Sequence, residues 1–281
     1  MVRNMKGDEA IARLLDGVEL RSAPFIVTIY GDVVVPRGGV LWTGTLIDIC
    51  ARVGINESLV RTAVSRLVAA RQLAGERAGR RSYYRLDASA QTEFGHAARL
   101  LYSTEKPPRG WQVLHAPDLA EVEAKRLRLG HMGGSVYIRP DRDQAPPPGA
   151  LLLRAAPVDR PEELAGFWDL SALQEQYHDI NRRFEVLLDA LLKGALSDEA
   201  SLVARLLLVH LYRNVLLRDP RLPPAALPAD WRGATARALF RRSYLALSDA
   251  AERHIAASFE GLDGPLPAHT PESDMRLSGL R

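Results

Sequence analysis

The stretch Gly54-Ile55-Asn56-Glu57-Ser58-Leu59-Val60-Arg61-Thr62-Ala63-Val64-Ser65-Arg66-Leu67-Val68 constrains the chain more than any other. It reads as a tight turn followed by one amphipathic helix. Asn56 suits the N-cap, because its side chain can accept from a first-turn amide that has no partner in the helix. Glu57 suits the positive end of the helix dipole. At about 100° per residue, Val60, Ala63, Val64, Leu67 and the stem of Arg71 share one side. Ser58, Arg61, Thr62 and Ser65 share the other, with Arg66 at its margin. Small hydroxyls and arginines suit a helix in a DNA major groove, where Arg donates bidentately to guanine and Ser or Thr reaches base edges or phosphates. A solvated helix face has the same composition, so this helix alone does not decide the matter.

Its flanks do. Leu41 to Ala51 reads as a preceding helix ending near Arg52-Val53-Gly54, which gives helix, short glycine turn, helix. Leu73 to Leu86 reads as a β-hairpin with a glycine turn, an arginine tip at Arg77, Arg80 and Arg81, and Tyr83 on its second strand. A recognition helix followed by a basic hairpin is the winged-helix order, in which the wing lies along phosphates or enters the minor groove, so Arg77, Arg80, Arg81 and Tyr83 are expected to contact DNA. From Glu57 to Leu86 seven arginines face two glutamates.

Several motifs also resemble the PaaX-type repressors of phenylacetic acid catabolism. They are Gly31-Asp32, Pro36-Arg37-Gly38-Gly39, Val60 to Val68, Gly79 to Leu86, Trp168-Asp169-Leu170, Leu206 to His210, Leu217 to Pro223 and Leu227 to Trp231. The likeness runs from about Ser22 to Ser258. It implies an α+β chain with an N-terminal winged helix-turn-helix, a ferredoxin-like middle domain similar to the small endonucleases of CRISPR systems, and a helical C-terminal domain. It also implies a repressor that leaves its operator when it binds phenylacetyl-CoA or a related aryl-CoA thioester, with no cofactor. Two-fold symmetry would double the contacts of a single winged helix, so a homodimer on an inverted repeat of double-stranded DNA is expected.

Charge placement agrees with a DNA reader joined to a sensor. Residues 1–109 hold 16 Lys and Arg against 11 Asp and Glu, whereas the remainder holds 21 against 23. With only four lysines the chain is arginine-rich throughout, so clustering is informative and number is not. The single Cys50 falls in an apolar segment and reads as a core residue in a reducing compartment. Met1 to Leu20 lacks the apolar core of a signal peptide, and Leu202 to Leu217 is broken by Arg205, His210 and Arg213. A cytoplasmic protein without a membrane span is expected.

Residues 1–21 read as a loose lead-in. Phe25-Ile26-Val27-Thr28-Ile29-Tyr30 is β-branched and would pass for a strand on propensity, but the resemblance places the first helix of the winged domain there. Residues 22–104 then form the DNA-binding domain, closed by a helix over Ala88 to Ser103, with a break at Thr104 to Gly110. The middle domain, 109–160, reads as strand (Trp111 to His115), helix (Ala120 to Leu129), strand (Ser135 to Pro140) and strand (Ala150 to Ala155). Asp118 sits where related endonucleases keep an acidic residue. No second acidic ligand accompanies it, and a helix N-cap accounts for it better than catalysis in a nucleic-acid-processing enzyme.

Residues 161–260 read as helical, followed by a disordered tail over 261–281. Leu170, Leu173, Tyr177, Ile180, Phe184, Leu187 and Leu191 recur at 3-4 spacing, which fits packing in a bundle or a dimeric coiled coil. Arg213 falls on the buried side of its helix and needs a partner, either Asp179, Glu185 or Asp189 or a ligand anion. For an aryl thioester the candidate ligand-binding residues are Trp168, Tyr177, His210 and Arg213. No Gly-rich phosphate loop, dinucleotide fingerprint, nucleophile elbow or metal-ligand spacing appears, so catalysis and a bound metal are not expected.

Overall fold

The structure is a computed structural model that describes residues 2–156, 158–194 and 196–281, with side chains from Glu9 onward. Its elements run α1 (Val2–Leu15), α2 (Ser22–Ile29), β1 (Val40–Trp42), α3 (Thr43–Ala51), α4 (Glu57–Ala69), β2 (Leu73–Ala78), β3 (Arg81–Leu86) and α5 (Gln91–Tyr102). There follow β4 (Trp111–His115), α6 (Glu121–Arg126), β5 (Gly130–Gly133), β6 (Val136–Pro140), β7 (Leu151–Ala155), α7 (Ser171–Leu192), α8 (Asp198–Leu216), α9 (Gly233–Ser258), β8 (Glu260–Gly261), β9 (Gly264–Pro265) and α10 (Pro271–Leu280). Helices and antiparallel sheets are thus mixed. No described helix is long and apolar enough to cross a membrane.

The chain gathers into two compact units, each assembled from separate stretches of sequence. The first joins Met1–Thr104, Ile180–Arg213 and Thr235–Arg281, and the second joins Glu105–Asp179 and Asn214–Ala234.

In the first unit, burial overrides strand propensity at Phe25 to Ile29, which is helical with Phe25, Ile26, Thr28 and Ile29 buried. The helix continues as a π-helical turn over Tyr30–Val34 and a 3-10 turn over Val35–Arg37, and stops where Gly38 and Gly39 take φ of 92° and 77°. Leu41 and Trp42 do not begin α3 as expected. They belong to β1, which pairs antiparallel with β3 (Leu41 opposite Tyr84), while Thr43 starts the helix and donates from Oγ1 to the Ser82 carbonyl at 2.6 Å. Cys50 is fully buried in α3, and burial pushes its thiol up to about 12, as a core residue requires.

Two terminal expectations are corrected. The lead-in is helical: Ala10 and Leu14 are buried, and Arg183 Nη1 donates to the Leu14 carbonyl at 3.0 Å. The tail is ordered too. Thr270 and Ser273 form a capping box with Pro271 in the first turn of α10, and Arg276, Leu277 and Leu280 are buried. Arg276 Nη1 donates to the Gly31 carbonyl at 2.6 Å, inside the π-helical turn.

The second unit contains a four-stranded antiparallel sheet in the order β5-β6-β4-β7. The glycine-rich strand β5 had no signature in the sequence. One side of the sheet packs Leu114 with Ala124 and Leu129, joined by Leu119, Tyr137 and Leu152. Residue Ala120 occupies the N-cap of α6, so Asp118, which is exposed, does not cap it.

The stripe on α7 is buried within the chain from Leu170 to Leu187 and half-buried at Leu191, as packing in a bundle predicts. Helix α8 is buried almost all round, as its apolar run predicts.

Candidate nucleic-acid interface

The turn before α4 is set by two amides, Val53 and Ile55, that both donate to the Cys50 carbonyl at 3.1 Å, with Gly54 at φ 82°. Asn56 then caps the helix, its Oδ1 accepting from the Leu59 amide at 3.0 Å. Val60, Ala63, Val64 and Leu67 are buried, which turns Ser58, Arg61, Thr62, Ser65 and Arg66 to solvent. Arg71 is not part of the apolar side. The helix ends at Ala69, and Arg71 lies beyond it, exposed and at φ 54°.

Two exposed side chains of α4 are pre-positioned. Arg61 donates to Glu57 Oε1 from Nε (2.8 Å) and Nη2 (2.7 Å), one turn apart on the open face. Such a pair is worth little to stability, but it holds the guanidinium along the helix rather than free. Thr62 Oγ1 donates back to the Ser58 carbonyl at 2.9 Å, leaving its lone pairs outward.

The hairpin follows directly. Its register runs from Leu73 opposite Leu86 to Ala78 opposite Arg81, with Gly79 and Arg80 at the turn and Gly79 at φ 61°. Arg77 and Arg80 are exposed. Arg81 is more constrained, since it pairs with Glu260 and its guanidinium lies 4.4 Å from the centre of the Trp42 ring. Its hydrogen bond with the Tyr83 hydroxyl, and then the pairing with Glu260, hold its charge more firmly than usual. Tyr83 does not join the exposed set. At 5% exposure it is part of the core beneath the hairpin, opposite Trp42 and Glu76, and it cannot reach a nucleic acid.

The four candidate ligand residues divide between the units: His210 and Arg213 fall in the first, Trp168 and Tyr177 in the second. His210 is buried, with Nδ1 3.0 Å from Thr28 Oγ1. Arg213 donates from Nη2 to the Pro24 carbonyl at 3.3 Å and feels the charge of Glu93, not of the carboxylates expected from the sequence. Burial is the main cause that lowers its pKa. Tyr177 donates to Asp219 Oδ2 at 2.6 Å, and Trp168 Nε1 donates to the Arg128 carbonyl at 3.0 Å. Arg128 itself was missed in the sequence, where nothing in its neighbours marks it. Among the described residues no group of His, Cys, Asp and Glu is placed to hold a metal.

The PaaX-like protein model matches residues 21–90 and the PaaX-like protein C-terminal domain model matches residues 168–257. The transcriptional repressor PaaX of Escherichia coli strain K12 is 30% identical over 98% of this chain and 96% of its own length. An uncharacterized protein of Mycobacterium tuberculosis is 26% identical, covering 74% of this chain and 88% of that one, with a TM-score of 0.48. The class so defined is that of transcription regulators, which are not enzymes. The chain belongs to the PaaX family.

Proposed function

We propose that this chain is a cytoplasmic repressor that reads operator DNA through a winged helix-turn-helix and is released by an aryl-CoA thioester, phenylacetyl-CoA or a close relative. One observation carries the DNA-reading part: Ser58, Arg61, Thr62, Ser65 and Arg66 lie together on the solvent face of a capped helix that leads straight into a hairpin with arginines at its tip. Arg61 and Arg66 are the base-reading candidates, and Arg77, Arg80 and Arg81 the phosphate-holding ones. The strand order of the second unit supports a ferredoxin-like sheet with a loop in place of the second crossover helix. A homodimer on an inverted repeat fits a reader with a single recognition helix. Because the α7 stripe is buried in the chain, the sheet of the second unit, with Leu151 and Leu153 exposed on its edge strand β7, is the surface that suits pairing.

The test is a gel-shift titration on DNA upstream of the chain's own gene and of its neighbouring operons, with and without phenylacetyl-CoA. Binding that the thioester relieves supports the reading. Binding that ignores the thioester would make the chain a constitutive DNA binder, and cleavage of the same DNA with added magnesium would favour a processing enzyme.

A further inference from the structure

A cleft of about 570 Å³ lies within the second unit, inside the range of about 300–1,000 Å³ usual for small-molecule sites. Leu129, Tyr137, Trp168 and Leu173 give it an apolar, aromatic-rich wall, and Arg128 and Arg218 give it cations; Lys125 also lines it but is paired with the lining Glu121 at 2.6 Å, and Asp169 is a second acidic residue of the lining. Arg218 donates to the Asn214 carbonyl and to Gln176 Oε1, neither of them charged.

Arg128 is the group whose surroundings do not account for it. Its backbone is left-handed, at φ 57°, as the residue that follows the C-cap of α6 and closes that helix, with the Leu129 amide donating to the Ala124 carbonyl at 3.0 Å; it is the side chain that lacks a partner. Its half-buried guanidinium donates from Nη1 to the Leu217 carbonyl at 3.3 Å, and it has no carboxylate partner among the described residues. Its charged neighbours are Arg221 and Arg142 against Asp219 and Glu105. Those two carboxylates are already engaged. Glu105 pairs with Arg142 at 2.8 Å and with Arg221, while Asp219 accepts from the Tyr177 hydroxyl and the Arg221 amide, both at 2.6 Å. Arg128 therefore has no ion pair of its own, and the two carboxylates that act on it are shared with Arg142 and Arg221. Burial first, then Arg221, pulls the Arg128 pKa down. An isolated charge in such a setting is costly, and an anion entering the cleft would relieve it.

The apolar wall and the cation are one piece. Trp168 donates to the carbonyl of Arg128 itself, and its indole lies so close to Gly130 that an added Cβ there would be 2.8 Å from the ring. Trp168-Asp169-Leu170, and Arg218 and Pro220 of the segment Leu217 to Pro223, contribute to the lining, and the surface proposed to read DNA leaves both segments unused. The larger groove of the first unit, about 860 Å³, holds no comparable group: its Arg276 donates to Gly31 and Glu272, and its Arg85 has Asp87 nearby.

We propose that the cleft beside Trp168 binds an amphipathic anion, an aryl or acyl group joined to a carboxylate or phosphate, with Arg128 and Arg218 at the anionic end. Its role as the effector site rests on the reading of the chain as a ligand-released repressor. The experiment is isothermal titration of the full chain with phenylacetyl-CoA, phenylacetate and CoA, which separates a thioester-borne phosphate from a free carboxylate as the anion. Arg128→Gln, Arg128→Lys, Arg218→Gln and, as a control in the other groove, Arg85→Gln are then titrated with whichever ligand binds, after circular dichroism has verified folding.

Arg128→Gln should weaken binding about 10- to 100-fold, the loss of one charge-assisted hydrogen bond. Arg128→Lys should recover part of it, the exposed Arg218→Gln should weaken it less, and Arg85→Gln should leave it unchanged. Wild-type binding that no cleft variant alters would overturn the site and leave the ligand-released reading standing. A wild type that binds none of the three at millimolar concentration would overturn both. If Arg128→Gln does not fold, Arg218→Gln alone decides, and unchanged affinity there counts against the site.

Discussion

Arg205 Nε lies 3.0 Å from Asp32 Oδ2, and both side chains are fully removed from solvent. The pair is the centre of a wider network. Arg205 Nη1 donates to Glu252 at 2.7 Å, Glu252 also accepts from Arg37, and the hydroxyls of Tyr102 and Tyr244 each donate to Asp32 Oδ1 at 2.8 Å. Burial opposes the charge on Arg205, but Asp32 and Glu252 outweigh it and hold the guanidinium firmly protonated. Gly31-Asp32 and Pro36-Arg37, read from the sequence only as motifs, are thus the points where the end of α2 is tied to α8 and α9.

Breaking such a pair leaves a bare charge in the core, at about 3–5 kcal/mol. Arg205→Leu should therefore lower the urea midpoint far more than Asp32→Asn, which keeps an oxygen for the two tyrosines. Equal and small losses would show that the network does not hold the unit together.

On the surface proposed to read DNA, Arg61→Ala should cost roughly 1–3 kcal/mol at one base pair and relax specificity there. A combined Arg77→Ala, Arg80→Ala and Arg81→Ala variant should weaken binding to every sequence and flatten the dependence of affinity on salt. Gel-shift titrations at several salt concentrations distinguish the two effects. Curves that overlay wild type for both variants would place the reading surface elsewhere.

The helix α4 and the hairpin were visible in the sequence because their determinants are local: a cap at Asn56, a 3-4 apolar period and a glycine turn. What escaped depends on distant partners. The three residues of β1 are a strand only because Tyr83 to Arg85 lie alongside, and α1 is held by Arg183, far along the chain. The C-terminal segment looked disordered from its Gly, Pro and Ser content, yet Thr270, Pro271 and Ser273 are a helix start that needed only a surface to pack on. Among the site residues, the exposed face of α4 was readable from periodicity, whereas Tyr83 was misjudged because its side of the hairpin is set by pairing with Trp42. Nothing local marks Arg128, whose isolation is created by Arg142 and Arg221.

Order in the C-terminal segment has its own test. At Gly279 an added Cβ would lie 2.2 Å from the Tyr102 carbonyl oxygen, a backbone atom that cannot swing aside. Gly279→Ala should thus destabilise by about 1–3 kcal/mol, as overpacking does, although alanine favours a helix. Ser278→Ala next to it loses one exposed hydrogen bond to the Asp274 carbonyl and should be nearly neutral. Thermal melts in which the two variants match would mean that α10 does not pack against Tyr102.

The sharpest pH dependence is expected from His210. It is 4% exposed, with Phe25 edge-on at 5.6 Å. Burial first, and then the positive charge of Arg213, lower its pKa to about 4 from the ordinary 6.5. In the unfolded chain the ring takes up a proton near 6.5, whereas in the folded chain it does so only near 4. The unfolded state therefore binds the proton first as pH falls. The contribution is present in full above 6.5 and is lost progressively toward pH 4, by about 3 kcal/mol across that window. His210→Gln cannot titrate and should show a flatter profile, even if it is less stable at neutral pH. Urea midpoints measured between neutral pH and pH 4.5 for both proteins make the comparison. Parallel profiles would mean that His210 is not the group that senses this range.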